Sequence, residues 1–149
     1  MKVIIILGSQ SDTAWGQKIT ESLAEWNLAS ETIVASAHKV PEKVFALVQK
    51  NNQEKNLVYV TVAGRSNGLS GVVAANSVQP VIACPPFKDK SDLLVNIHST
   101  MQMPSETPVL TVLDPSNVAA ACARILGLAD ENLQHKVENK IKEIKDNFS

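Results

Sequence analysis

The stretch Ser36-Ala37-His38-Lys39-Val40-Pro41 sets a histidine and a lysine directly behind an apolar extended run. Imidazole titrates closest to neutrality, so it is the side chain best able to take and return a proton at working pH. Pro41 suits the first position of a helix and stiffens the approach to it. A rigid mount for a titrating group is what general acid–base chemistry requires. The plainer reading makes His38 a surface loop residue and leaves Lys39 solvated; the residues alone leave both open.

Two further loops carry more polar groups than a tight connection needs. In Gly8-Ser9-Gln10-Ser11-Asp12, Gly8 lets the backbone approach a ligand. Ser9, Ser11 and the amides of a helix start can hold a phosphate, favoured by the helix dipole. Asp12 suits ribose hydroxyls better than phosphate. The alternative is a capped helix start, with Ser11 or Asp12 as the cap. The glycines and lysine of a P-loop or dinucleotide fingerprint are absent from it. In Ala63-Gly64-Arg65-Ser66-Asn67-Gly68-Leu69-Ser70-Gly71, backbone N–H groups are available to a small anion or carboxyl group. Arg65 either binds an anion or pairs with a carboxylate elsewhere, and the whole stretch also reads as a tight turn before a close-packed helix.

The elements that position these loops follow from periodicity. Strands are expected at Lys2–Leu7, Glu31–Ala35, Leu57–Val62, Val81–Cys84 and Val109–Leu113. Helices are expected at Thr13–Trp26, Glu42–Lys50, Ser70–Asn76, Asp89–Thr100, Ser116–Leu126 and Asp130–Phe148. The strands are too apolar to keep a wet face, so they belong to a parallel sheet covered on both sides. The expected fold is a single-domain, three-layer α/β/α, flavodoxin-like doubly wound sheet, with sites at the carboxyl ends of its strands. The last helix is surplus to that sheet. Its narrow stripe, Leu133, Val137, Ile141 and Ile144, fits its own domain or a neighbouring subunit equally well.

Composition narrows the function classes. The 149 residues are 44% hydrophobic and 19% charged, with a net charge of -1, so no global positive field favours nucleic acid or a membrane surface. Val3–Leu7 is too short for a signal-peptide core or a bilayer span and reads as a buried strand. Cys84 and Cys122 form no close-spaced pair, and reduced thiols in a cytoplasmic protein are expected. His98 and His135 read as structural and solvated. No Ser-His-Asp set and no His/Cys metal cluster can be read from the spacing.

Taken in order, GSQSD, SAHKVP, AGRSNGLSGVVAAN, PVIACPPF and MQMPSETPVLTV resemble the PurE family of purine biosynthesis over nearly the whole chain. That resemblance implies an enzyme acting on 5-aminoimidazole ribonucleotide to give the 4-carboxylated product. Class II members carboxylate directly with CO2; class I members are mutases that take the N5-carboxylated ribonucleotide. Class I carries arginine in place of Lys39 and a histidine in the third loop, so this chain resembles class II. Val40 departs from the glycine common in class II. The resemblance implies His38 as the acid–base group and Ser36 and Lys39 near phosphate and carboxyl. It implies Gly8, Ser9, Ser11 and Asp12 around the ribonucleotide. Gly64, Arg65, Ser66, Asn67, Gly68 and Leu69 would then cradle the CO2-derived carboxyl. No cofactor or metal is implied. A homo-oligomer is, commonly an octamer and alternatively a tetramer, with the last helix on a neighbour. The rivals are the class I mutase and a flavodoxin-like nucleotide-binding module. The latter is disfavoured by 4% aromatic residues, none in the three loops.

Overall fold

The structure, a computed structural model, describes residues 1–148. It contains β1 (Lys2–Leu7), α1 (Thr13–Glu25), β2 (Ala29–Val34), α2 (Pro41–Asn51), β3 (Leu57–Val62) and α3 (Gly68–Asn76). These are followed by β4 (Val81–Ala83), α4 (Lys90–Met101), β5 (Leu110–Thr111), α5 (Pro115–Gly127) and α6 (Glu131–Asp146). All strands are parallel, in the order β2-β1-β3-β4-β5. This is the flavodoxin-like doubly wound arrangement.

Alternation along the central strands explains the three layers. Val3, Ile5 and Leu7 of β1, with Val58, Val60 and Val62 of β3, pack with Ile19 and Leu23 of α1 and with α5. Ile4 and Ile6, with Leu57 and Tyr59, face α2 and α3 on the other side. Both faces are dry, as the unbroken apolar strands require. Gly16 permits a close helix–strand approach, since a Cβ there would lie 2.8 Å from Leu7 Cδ2. Among the described residues, no helix is long and apolar enough to cross a membrane.

The structure differs from the expected boundaries for local reasons. Strand β2 starts at Ala29, ahead of Glu31, because α1 closes early: Asn27 takes φ 57 and Leu28 N–H bonds back to Leu23 O at 3.1 Å. Asparagine is tolerated as the left-handed residue after a helix. Strand β5 shrinks to two paired residues, although Val112 N–H still reaches Ala83 O at 3.0 Å.

Helix α6 divides its stripe. Leu133 and Val137 are buried in the cluster shared with α5, while Ile141 and Ile144 stay exposed. Its first half therefore lies on its own domain.

Candidate active site

The three polar loops converge at the carboxyl end of the sheet, where the strand order reverses between β1 and β3. There they line a cavity of about 540 Å³. The order 2-1-3 sends α1 and α2 to opposite faces, so the loops that precede them splay apart and leave a crevice.

The first loop contributes Gly8, Ser9, Ser11 and Asp12. Its conformation differs from a simple capped helix. Gln10–Asp12 forms a 3-10 turn capped by Ser9, whose Oγ accepts from Ser11 N–H at 3.3 Å and from Ser11 Oγ at 2.9 Å. Asp12 occupies the N-cap position of α1 without making a side-chain cap bond. Its carboxylate therefore stays available to the cavity. Burial raises the Asp12 pKa, with the Ser11 and Ser9 hydrogen bonds opposing. An acid in that setting favours neutral hydroxyl partners over a second anion.

The second loop is a turn closed by Val40 N–H to Ser36 O at 2.9 Å. Ser36, Ala37 and His38 line the cavity. Lys39 is exposed and outside the lining; its backbone N–H donates to Ser36 Oγ at 3.3 Å. Val40 has φ -141, outside the left-handed region that favours glycine, so the position makes no demand for glycine. The His38 ring stands against the start of α3: a Cβ on Gly68 would lie 2.8 Å from His38 Nε2. Gly68 thus serves His38 by leaving it room, and is not itself in the lining.

The third loop contributes Gly64, Arg65, Ser66 and Leu69. Arg65 adopts φ 59, a left-handed conformation that costs a non-glycine residue about 1–2 kcal/mol. Its guanidinium lies 3.6 Å from Asp92. Asn67 turns away from the cavity. It caps α3 by accepting from Ser70 N–H at 3.1 Å, and its Nδ2 donates to Ser70 Oγ at 2.7 Å and to Thr100 Oγ1 at 3.0 Å. Ser70 in turn meets Thr61 at 2.7 Å, so Asn67 belongs to a buried polar network rather than to a ligand.

Residues outside the three loops complete the wall. Trp15, Pro86, Phe87, Lys88, Asp92 and Asn96 all line the cavity. Trp15 and Phe87 pack at 5.0 Å and 57°, and the Trp15 indole N–H points at Cys84 Sγ, 3.3 Å away. Burial pushes the Cys84 thiol up to about 11, Asp114 adding to the shift and the Trp15 bond opposing it. The sequence places no aromatic in the three loops, but the fold brings two to the cavity from α1 and from the loop after β4. They are tilted onto each other and leave no parallel slot for a flat cofactor between them.

The set can do one kind of work well. An imidazole faces a crevice rimmed by hydroxyls, a guanidinium and a helix start. This arrangement suits proton transfer on a small polar molecule that carries anionic groups.

Comparison with known proteins agrees. Residues 2–147 match the family described as AIR carboxylase. A phosphoribosylaminoimidazole carboxylase of Archaeoglobus fulgidus is 45% identical over 148 residues, which is 97% of this chain and 81% of that protein. An N5-carboxyaminoimidazole ribonucleotide mutase of Methanocaldococcus jannaschii is 39% identical, over 91% of this chain and 85% of that one. The crystal structure of Treponema denticola PurE superposes with a TM-score of 0.92 at 33% identity, covering 99% of this chain and 93% of that one. The chain belongs to the AIR carboxylase, or PurE, family of purine-biosynthetic carboxylases and mutases.

Proposed function

We propose that the chain is the direct carboxylase of this family, joining CO2 to C4 of 5-aminoimidazole ribonucleotide without ATP. The observation that carries this reading is the third loop, where Arg65 and Ser66 line the cavity near His38 and no histidine occurs between Ala63 and Gly71. The similarity to the carboxylase of Archaeoglobus fulgidus supports it. The likeness to a named mutase supports the second reading, rearrangement of the N5-carboxylated ribonucleotide.

The chemistry follows from the substrate. The amino group makes C4 nucleophilic, and C4 attacks the carbon of CO2. A C–C bond forms and one C=O π pair moves onto oxygen, giving a carboxylate. C4 then carries both that carboxylate and its proton. His38 removes the proton, the C–H pair restores the aromatic ring, and the steps run backward for decarboxylation. Ser9, Ser11 and Asp12 hold the ribonucleotide. Ser36, Gly64 and Ser66, which line the cavity, receive phosphate and carboxylate. Lys39 supplies positive charge at the rim, and Arg65 supplies it inside.

We further read the enzyme as a cytoplasmic homo-oligomer, an octamer in keeping with its resemblance to the family. The exposed Ile141 and Ile144 on α6 would meet a neighbouring subunit.

The test supplies pure protein with aminoimidazole ribonucleotide and bicarbonate, without ATP, and follows the 4-carboxylated product by absorbance. The N5-carboxylated ribonucleotide is run in parallel, corrected for its spontaneous decay. Product that rises with CO2 supply is expected. Conversion of the N5 compound alone would establish the mutase.

A further inference from the structure

Helix α4 contributes one face to the cavity, and three side chains of that face meet Arg65, with Ser99 Oγ also accepting the Asn67 backbone N–H at 3.0 Å. Asp92, Asn96 and Ser99 recur at i, i+4 and i+7, so they share a side of the helix. Asn96 Oδ1 accepts the Arg65 backbone N–H at 2.7 Å. Ser99 Oγ donates to the Arg65 carbonyl. Asp92 Oδ1 faces the guanidinium at 3.6 Å. The backbone donor, the backbone acceptor and the side-chain charge of Arg65 are thus all met from α4, across 27 to 34 positions of sequence. Asn96 is only 3% exposed, and its Nδ2 donates to Pro86 O at 2.8 Å, so it ties the loop after β4 to the third loop.

The conformation thus held is an unusual one for an arginine. A left-handed backbone is normally given to glycine. Here Gly64 and Gly68 flank the strained position and neither has positive φ. A loop that needed only to turn could place glycine at position 65. Instead it holds an arginine there by both backbone groups, and 74% of that side chain remains exposed at the cavity. Strain retained at a residue whose side chain faces a cavity points to use of that side chain.

We propose that Asp92, Asn96 and Ser99 are positioning residues that act through Arg65, aiming its guanidinium at an anionic group of the substrate. The inference rests on the ribonucleotide reading above. The anionic group is a phosphate or a carboxylate, which the same guanidinium fork recognises.

The test is a set of double-mutant cycles. Asn96→Ala removes both amide bonds, Ser99→Ala removes the hydroxyl, and Arg65→Gly removes the guanidinium while relieving the strain. Asn96→Ala and Ser99→Ala are each expected to raise KM for the ribonucleotide about tenfold and leave kcat within about threefold. The Kd of the 4-carboxylated ribonucleotide, read by calorimetry, should weaken in parallel. In an Arg65→Gly background neither change should add to the loss, and Ser99→Thr should restore the parent KM. Weaker competitive inhibition by inorganic phosphate in Arg65→Gly would assign the guanidinium to the phosphate. Unchanged phosphate inhibition, with affinity lost for the carboxylated ribonucleotide but not the uncarboxylated one, would assign it to the carboxylate. Additive effects, or an unchanged KM in Ser99→Ala should Asn96→Ala fail to fold, would overturn the inference. Absence of turnover in the parent protein would count against the proposed function instead.

Discussion

Tyr59 is a buried polar side chain at the centre of the sheet, and it makes a sharp stability prediction. Its ring is 0% exposed among Ile4, Ile6, Val44, Val48 and Val73. Among the described residues, its hydroxyl is the buried side-chain polar atom with no hydrogen-bond partner. Leaving a hydroxyl unpaired costs about 1–3 kcal/mol. Tyr59→Phe keeps the ring and opens a void of one oxygen, roughly 10 Å³, whose cost at about 24 cal/mol per Å³ is only a few tenths of a kcal/mol. Relief of desolvation wins, so the Phe variant should be more stable by about 1 kcal/mol near pH 8. For 149 residues at about 2.1 cal/mol/K each, that is a rise in Tm of about 3 °C. The same burial pushes the phenol up to about 12 from 10.0. An acid with a raised folded-state pKa stabilises the fold fully below its unfolded value and loses that contribution as pH climbs toward the folded one. The parent protein should therefore lose about 1.4 kcal/mol at pH 11 that the Phe variant keeps. Cys84 and Cys122, also raised by burial, are common to both proteins and cancel in the difference. The assay is urea unfolding of both at pH 8 and pH 11, at one protein concentration. A Phe variant less stable at pH 8 would mean that the hydroxyl is bonded, and a gap that fails to widen at pH 11 would mean that it is hydrated.

Other perturbations separate chemistry, packing and assembly. His38→Asn should lower kcat by about 10²–10⁴ while ribonucleotide affinity stays within a few-fold; near-normal turnover would remove His38 from the mechanism. Asn67→Ala takes one hydrogen bond from each of the Ser70 and Thr100 hydroxyls and removes the α3 cap from the Ser70 backbone N–H, so unfolding should show a loss of roughly 2–4 kcal/mol, with KM little changed in the protein that remains folded. Gly16→Ala gains up to about 1 kcal/mol of helix propensity but forces a methyl against Leu7 at 2.8 Å; overpacking of about 1–3 kcal/mol should outweigh it and lower Tm. Ile141→Glu with Ile144→Glu should reduce the mass seen by light scattering while the fold persists by circular dichroism, and an unchanged mass would free α6 from any interface.

Much of this architecture could be read from the chain because its strands are buried on both faces. Runs such as Val3–Leu7 and Leu57–Val62 carry their own signal, and the loops behind them announce the sheet edge where Ser9, Ser36, His38 and Arg65 gather. What escaped the reading depends on distance in sequence. Trp15 looks like one more apolar position on α1, and only the fold sets it against Phe87 and Cys84. Asp92, Asn96 and Ser99 look like the solvated side of an ordinary helix, since nothing near them names Arg65 as their partner. The 3-10 turn at Gln10–Asp12 escaped for the opposite reason. Ser11 and Asp12 are the caps expected by type, whereas Ser9 caps the 3-10 turn and Asp12 takes the N-cap position of α1 without a cap bond.

The third loop shows why a motif is not a list of contacts. Five consecutive residues meet five different demands. Arg65 accepts a strained backbone and presents charge to the cavity; Ser66 lines the cavity beside it. Asn67 faces inward and is spent on Ser70 and Thr100. Gly68 lacks a side chain where His38 needs the space, and Leu69 is 2% exposed, spanning core and cavity wall. All five shape the loop, yet only Arg65 and Ser66 have polar side chains at the cavity. The backbone direction forces this division: an edge loop that turns into a helix must send successive side chains out, in and across. An account of catalysis that assigned the whole stretch to substrate would mistake the loop's own fastening for binding.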